Sequence, residues 1–244
     1  VWGMRVGVEF AELFEDRQLS NDCKAAEKKL VKAASKVYKK FLASCPAPDA
    51  PGSKQVAALM TITGLIDAPK ADKEFLSING AQGFSTFYGY YMLEAMATAG
   101  NYQGALDVIR EYWGAMIDLG ATSFWEDFDI NWIPNAAPID ELVPEGKKDI
   151  HGDCGAYCYV GFRHSLCHGW ASGPTSWLSR HILGVEVIEP GCRQVRITPH
   201  LGDLQWVKGT FPTPYGEIQI YHEKQANGNV ISEVKAPKGV SVIK

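Results

Sequence analysis

The sequence predicts an α + β multidomain architecture, helical first and β-stranded after, on three observations. Apolar residues recur at three- and four-residue spacing as far as about residue 184. Beyond Gly184 the repeat shortens to two, as in Val195-Arg196-Ile197 and Ile218-Gln219-Ile220. Between these regimes, residues 121–170 are irregular and rich in Pro and Gly, yet seven aromatic residues fall between Phe124 and Phe162. A connection that long and that aromatic is more in keeping with a functional segment than with a disordered one. Side chains spaced by 3.6 line one face of a helix and those spaced by 2 line one face of a strand. The change of period therefore divides the chain into a helical unit, 1–185, and a C-terminal β-unit, 186–244.

Each element follows from local signals. The opening VWGMRVGVEFAELF reads as packed structure. Residues 20–43 form a helix, with Ala26, Leu30, Ala33, Val37 and Phe41 on one side and lysines mainly elsewhere. Ser20 to Asp22 can cap its start, and Pro46 and Pro48 end it. Pro46 to Gly52 is a loop, and Lys54 to Leu65 and Ala71 to Ile78 are short helices. An apolar stripe runs from Phe84 through Tyr88, Tyr91, Met92 and Met96 to Ala99 and stops at Gly100. Asn101 caps the next helix, which carries Leu106, Ile109, Trp113 and Met116 and stops at Gly120, giving an αα-hairpin. Gly173-Pro174 opens a last helix through Ile182, closed by Gly184. Strands follow at 194–198, 205–211, 217–222, 230–235 and 240–243, with turns at Pro212 to Gly216 and Asn227 to Asn229.

Composition narrows the function. The chain has 244 residues with a net charge of −4. No run of about 18 uninterrupted apolar residues exists, so no membrane span is expected. The acidity is concentrated: residues 1–75 carry +2 (12 basic, 10 acidic), 76–185 carry −7 (5 against 12) and 186–244 carry +1 (7 against 6). That is a poor footprint for nucleic acid. An acidic, aromatic-rich middle suits instead a neutral polar ligand, or a transition state that gains positive charge. Six cysteines are too few for a disulfide scaffold in a chain this long. No GxSxG, GxGxxG or GxxxxGK[ST] motif occurs, so neither a serine hydrolase nor a nucleotide cofactor is indicated.

Two segments carry candidate chemistry. Gly120-Ala-Thr-Ser-Phe-Trp-Glu-Asp-Phe-Asp129 places three carboxylates among three aromatic rings just past a helix end. Sugar hydrolysis needs such groups, carboxylates to move protons and flat rings to stack on pyranose faces. Taken alone, a Glu beside a Trp is most often a surface residue. The second segment, His164-Ser-Leu-Cys-His-Gly-Trp-Ala-Ser-Gly-Pro174, leads polar groups and Trp170 into a helix. His151, Asp153, Cys154, Cys158, His164, Cys167 and His168 lack the spacing of a zinc site, so no metal and no cofactor is expected.

Together these segments resemble the bacterial α-L-rhamnosidases of glycoside hydrolase family 78. The matching stretches are GATSFWEDFD at 120–129, SLCHGWASGPTSWLSRHILG at 165–184 and PGCRQVRITPHLGDLQWVKGTFPTPYGEI at 190–218. The resemblance implies part of an (α/α)6 toroid followed by an antiparallel β-sandwich-type domain, and hydrolysis with inversion. It implies that Glu126 is the general base, that His168 contacts the rhamnose, and that Trp125 and Trp170 line the pocket. It also implies a rhamnose-containing glycoside or oligosaccharide as substrate. An inverting glycosidase further needs an acid on the other face of the sugar. The family's acidic, Arg-containing segment has no counterpart here and is expected before Val1, in a missing N-terminal portion of the same enzyme. The compartment stays open, periplasmic or secreted being compatible with such a parent. Half a toroid would leave the stripe 84–99 or the helix 105–117 partly uncovered. Two other readings remain: a non-catalytic carbohydrate-binding or structural fragment, and a toroid glycosidase of different sugar preference.

Overall fold

A computed structural model describes residues 1–44, 52–150 and 165–243. The chain opens with a helical hairpin, α1 (Trp2–Leu13) and α2 (Arg17–Ser44). It closes tightly because Gly7 leaves room for Cys23, whose Sγ would lie 2.9 Å from a Cβ there. Arg5–Glu27 and Lys24–Glu12 pair across it at 2.6 and 2.8 Å. The sequence reading assigned no helix to 2–13 and began the second one three residues late. Asp16 caps that helix, accepting from the Leu19 N–H at 2.9 Å.

Next come α3 (Ser53–Ile62) and α4 (Ala68–Ala71), the latter running into a π-turn at Asp72–Leu76. Residues 77–88 are turns rather than the helix start that the stripe suggested. Asn79, Gly80 and Gly83 have φ of 55°, 54° and 77°, which a right-handed helix cannot take, so the chain turns through 79–83 before the next helix. Helix α5 (Gly89–Thr98) then packs on α6 (Tyr102–Val108), which continues through a π-turn, Ile109–Trp113, into α7 (Gly114–Asp118). Asn101 caps α6 as expected, accepting from the Gly104 N–H at 2.9 Å. Helix α8 (Gly173–Trp177) also ends in a π-turn, Leu178–Ile182.

Two-residue strands β1 (Ala136–Ala137) and β2 (Lys148–Asp149) bridge the middle segment in parallel. The C-terminal strands form two three-stranded sheets. β3 (Val185–Val187), β4 (Gln194–Ile197) and β8 (Ser241–Ile243) make one, and β5 (Trp206–Thr213), β6 (Gly216–Lys224) and β7 (Val230–Lys235) make an antiparallel meander. β3 was not predicted. The β4–β8 pair is parallel, a departure from an all-antiparallel unit, because the chain completes the whole meander before returning beside β4.

Two apolar clusters hold the molecule together. One gathers Leu76, Met92, Leu93, Met96, Tyr112, Trp125, Phe128 and Trp177 among the helices and the 121–137 segment. The other fills the space beside the sheets with Leu183, Val185, Val195, Ile197, Ile218 and Ile220. The two units meet where Tyr102 stacks on His200 at 3.7 Å and Arg110 forks onto Asp203 at 2.9 and 2.8 Å. The 84–99 stripe and the 105–117 helix are mostly buried, yet Phe87, Tyr88 and Ile117 on them are exposed. Exposed apolar side chains are numerous on the first hairpin, where Phe10, Leu13, Phe14 and Val37 are 57, 70, 74 and 65% exposed. Among the described residues no helix is long and apolar enough to cross a membrane.

Candidate active site

Gly120 ends α7 with φ of 90° and turns the chain sharply beneath Ile139. From there the aromatic residues decide orientation. Trp125 and Phe128 are 0 and 1% exposed, their rings 6.0 Å apart, and Tyr112 donates its hydroxyl to the Phe128 carbonyl. With those two rings drawn inward, Glu126 and Asp127 are left half-buried at the surface. Trp125, expected to line the pocket, therefore lies in the core behind it. Its indole N–H is buried with no hydrogen-bond partner among the described residues.

Residues 165–168 run alongside 123–126 although about forty positions separate them. The Glu126 N–H donates to the Ser165 carbonyl at 2.8 Å, and the His168 N–H to the Phe124 carbonyl at 2.7 Å. The Ser123 hydroxyl donates to the Leu166 carbonyl. This pairing brings the two sequence segments into one site. The Ser165 N–H donates to Glu126 Oε2 at 2.7 Å, and His168 Nδ1 stands 3.9 Å from the same oxygen. The two side chains are 15 and 32% exposed, so both are reachable from solvent. Glu126 Oε1 accepts no hydrogen bond among the described residues.

The Glu126 backbone is held from a third direction. Its carbonyl accepts from the Thr86 hydroxyl at 2.5 Å and from the Trp170 indole N–H at 2.8 Å. Trp170 packs 4.1 Å from the His168 ring and edge-on to Phe87 at 5.9 Å, and it is 47% exposed. A shallow cleft of about 230 Å³ opens there, lined by Phe87, Tyr90, Tyr91, Trp170 and Ser176 among others. Of the predicted residues, Glu126, His168 and Trp170 are thus brought together and Trp125 is not on their open side. The sequence reading did not single out Thr86 or Ser165. A lone Thr before a helix and a Ser whose contribution is its main chain leave no pattern to find.

The neighbouring carboxylates behave differently. Asp129 spends Oδ1 on Asn131, accepting from its N–H and its side-chain amide at 2.9 and 2.8 Å, which starts a 3₁₀ turn at Ile130–Trp132. The Asp127 carboxyl is pushed up to about 6, first by burial and then by the nearby charges of Asp129 and Glu126, against the pull of the Phe128 N–H. No group of three or more His, Cys, Asp or Glu residues that would hold a metal ion occurs among the described residues. His151, Asp153, Cys154, Cys158 and His164 lie outside them.

Comparison with known proteins adds a family. Residues 184–243 match the bacterial α-L-rhamnosidase C-terminal domain, about a quarter of the chain. No curated protein matches significantly. Among solved structures, the family 78 rhamnosidase of Bacillus sp. GL1 is 26% identical over 78% of this chain and 18% of its own, with a TM-score of 0.58. The α-L-rhamnosidase of Aspergillus terreus is 18% identical over 96% of this chain and 26% of its own, with a TM-score of 0.72. That of Streptomyces avermitilis, solved with L-rhamnose, is 17% identical over 98% and 22%, with a TM-score of 0.70. The chain thus spans only about a fifth to a quarter of the length of these structures. Along most of its length it is related to the α-L-rhamnosidases of glycoside hydrolase family 78, and it corresponds to a C-terminal portion of them.

Proposed function

We propose that this chain carries the general-base half of an inverting α-L-rhamnosidase site acting on terminal α-L-rhamnosyl residues. In this reading residues 1–185 are the C-terminal part of an (α/α)6 toroid and residues 186–244 a β-sandwich-type domain. One observation carries the assignment: Glu126 and His168, 42 positions apart, meet with Oε2 and Nδ1 at 3.9 Å beside an exposed tryptophan. The Ser165 N–H anchors Oε2 and leaves Oε1 to face a water. Glu126 takes a proton from that water as its oxygen bonds to the anomeric carbon. The glycosidic carbon–oxygen bond breaks on the opposite face, where an acid protonates the departing oxygen. That acid belongs to a part of the natural protein outside these residues. His168 and Trp170 contact the sugar, while Trp125 supports Glu126 from behind.

The test is turnover of an aryl α-L-rhamnoside by the natural protein. Glu126→Gln is expected to lower kcat by about 100-fold or more, the scale of lost general-base help. Near-normal turnover in Glu126→Gln, with collapse in Asp127→Asn, would move the base to Asp127. Near-normal turnover in both would favour a non-catalytic, carbohydrate-binding role.

A further inference from the structure

We propose that Thr86 is a positioning residue for Glu126, an inference that rests on reading Glu126 as the base. Thr86 is 3% exposed, and its hydroxyl donates to the Glu126 carbonyl at 2.5 Å from a segment forty residues earlier in the chain. Among the described residues, that carbonyl is otherwise held only by the Trp170 indole, at 2.8 Å, which sits on a half-exposed ring. Thr86 is thus the buried one of two donors that fix the main chain at the reacting carboxylate.

The segment bearing Thr86 is itself clamped on both sides. Upstream, Lys54 is 3% exposed and donates from Nζ to the Gly80 carbonyl at 2.7 Å, its ammonium 5.0 Å from the centre of the Phe84 ring. Glu111 Oε2 accepts from the Ala81 N–H at 2.9 Å. Gly80 has φ of 54°, a left-handed conformation that favours glycine. Downstream, the Gly89 N–H donates to the Ser85 carbonyl at 2.8 Å, entering α5. The Lys54 and Glu111 bonds to the Gly80–Ala81 backbone and a helix start therefore set Thr86, and Thr86 sets Glu126. Precision at this scale matters because a displacement of about 1 Å in a reacting group costs on the order of 100-fold in rate.

The experiment is steady-state kinetics on an aryl α-L-rhamnoside with the natural protein and a graded series at position 86, each variant first checked for an unchanged melting temperature. Thr86→Val keeps the shape and deletes the donor. It is expected to lower kcat about tenfold with KM within about twofold, while Thr86→Ser, which keeps the hydroxyl, recovers most of the loss. Thr86→Ala replaces Thr86→Val if the latter does not fold. In a Glu126→Gln background the same change should have no further effect on the residual rate, because a residue acting through the carboxylate has nothing left to position. An unchanged kcat in Thr86→Val overturns the inference. So does an equal tenfold loss in the Glu126→Gln background, which marks a general structural role. Full activity of Glu126→Gln instead overturns the base assignment itself, and the two failures are therefore distinct.

Discussion

Asp127 stands one residue from the proposed base, and its raised titration makes it a stability liability at neutral pH. Its ordinary value is near 3.8 and the fold moves it to about 6, so the folded chain holds this proton more tightly than the unfolded one. Stability from this group is full below about pH 4 and is lost as pH rises through about 6. Asp127→Asn removes the charge that burial opposes. It is expected to stabilise the protein at pH 7 by about 1–2 kcal/mol, less than the full shift implies because water still screens the site. Urea denaturation of both proteins checks this, the gap closing near pH 3.5; an equal gap at both pH values would show that charge is not the cause. The same burial separates the roles of the acidic run. Asp129 is spent on a turn, Asp127 is driven toward its neutral form, and Glu126 alone accepts the Ser165 N–H.

The interhelical turns show best what a sequence can and cannot reveal about elements. Asn101 was legible because its chemistry is local: it accepts from Gly104 three residues on and the helix follows. Its amide also donates to Asp72 Oδ2 at 2.9 Å and Ser77 Oγ at 3.0 Å, links that no local pattern announces. Asn101→Ala is therefore expected to cost about 1–2 kcal/mol, the cap plus these ties. Asn101→Ser keeps a cap acceptor without a charge facing Asp72 and should recover part of that, as thermal or urea unfolding would read; a loss below about 0.5 kcal/mol in Asn101→Ala would mean the α6 start is held by packing alone. The sites that escaped the sequence share one feature, dependence on distant partners. Trp125 looked like a sugar platform because a Trp beside a Glu suggests one. What buries it is Phe128 together with the rest of the helical core, invisible at the level of spacing. The helix at 2–13 goes beyond the sequence expectation, in which its apolar residues point only to packed structure. The turn at 79–83 escaped because its three left-handed residues, Asn79, Gly80 and Gly83, leave no trace in the spacing of the apolar side chains around them. Conversely, the switch to strands after Gly184 was clear, since alternation needs no partner to be seen. That Gly is also obligatory: with φ of 73°, a Cβ would lie 2.4–2.5 Å from the Thr198–Pro199 backbone.

At the scale of the whole molecule, the first hairpin carries the consequence of greatest reach. Trp2, Phe10, Leu13, Phe14, Leu19, Leu30 and Val37 are each between 43 and 74% exposed on this one hairpin. Soluble monomers rarely leave a contiguous apolar patch larger than a few hundred Å² uncovered. At about 25 cal/mol per Å², each such side chain that becomes covered contributes roughly 1 kcal/mol, which favours association. The described residues also place Glu126, Asp127 and Asp129 on one short stretch of chain, whereas inversion needs carboxyl groups about 6.5–9.5 Å apart on opposite faces of a sugar. The 244-residue chain expressed alone is therefore expected to hydrolyse no aryl α-L-rhamnoside and to self-associate as its concentration rises. Light scattering during gel filtration reads the second expectation and a chromogenic assay the first. Supplying the remainder of the natural protein as a separate chain should suppress the association and restore turnover that Glu126→Gln abolishes. A stable monomer with Glu126-dependent turnover would instead place the acid within this chain. The segment holding Asp140, Glu141, Glu145 and Asp149 would then be the first place to look, because Lys148–Asp149 pairs with Ala136–Ala137 only a few residues beyond Asp129.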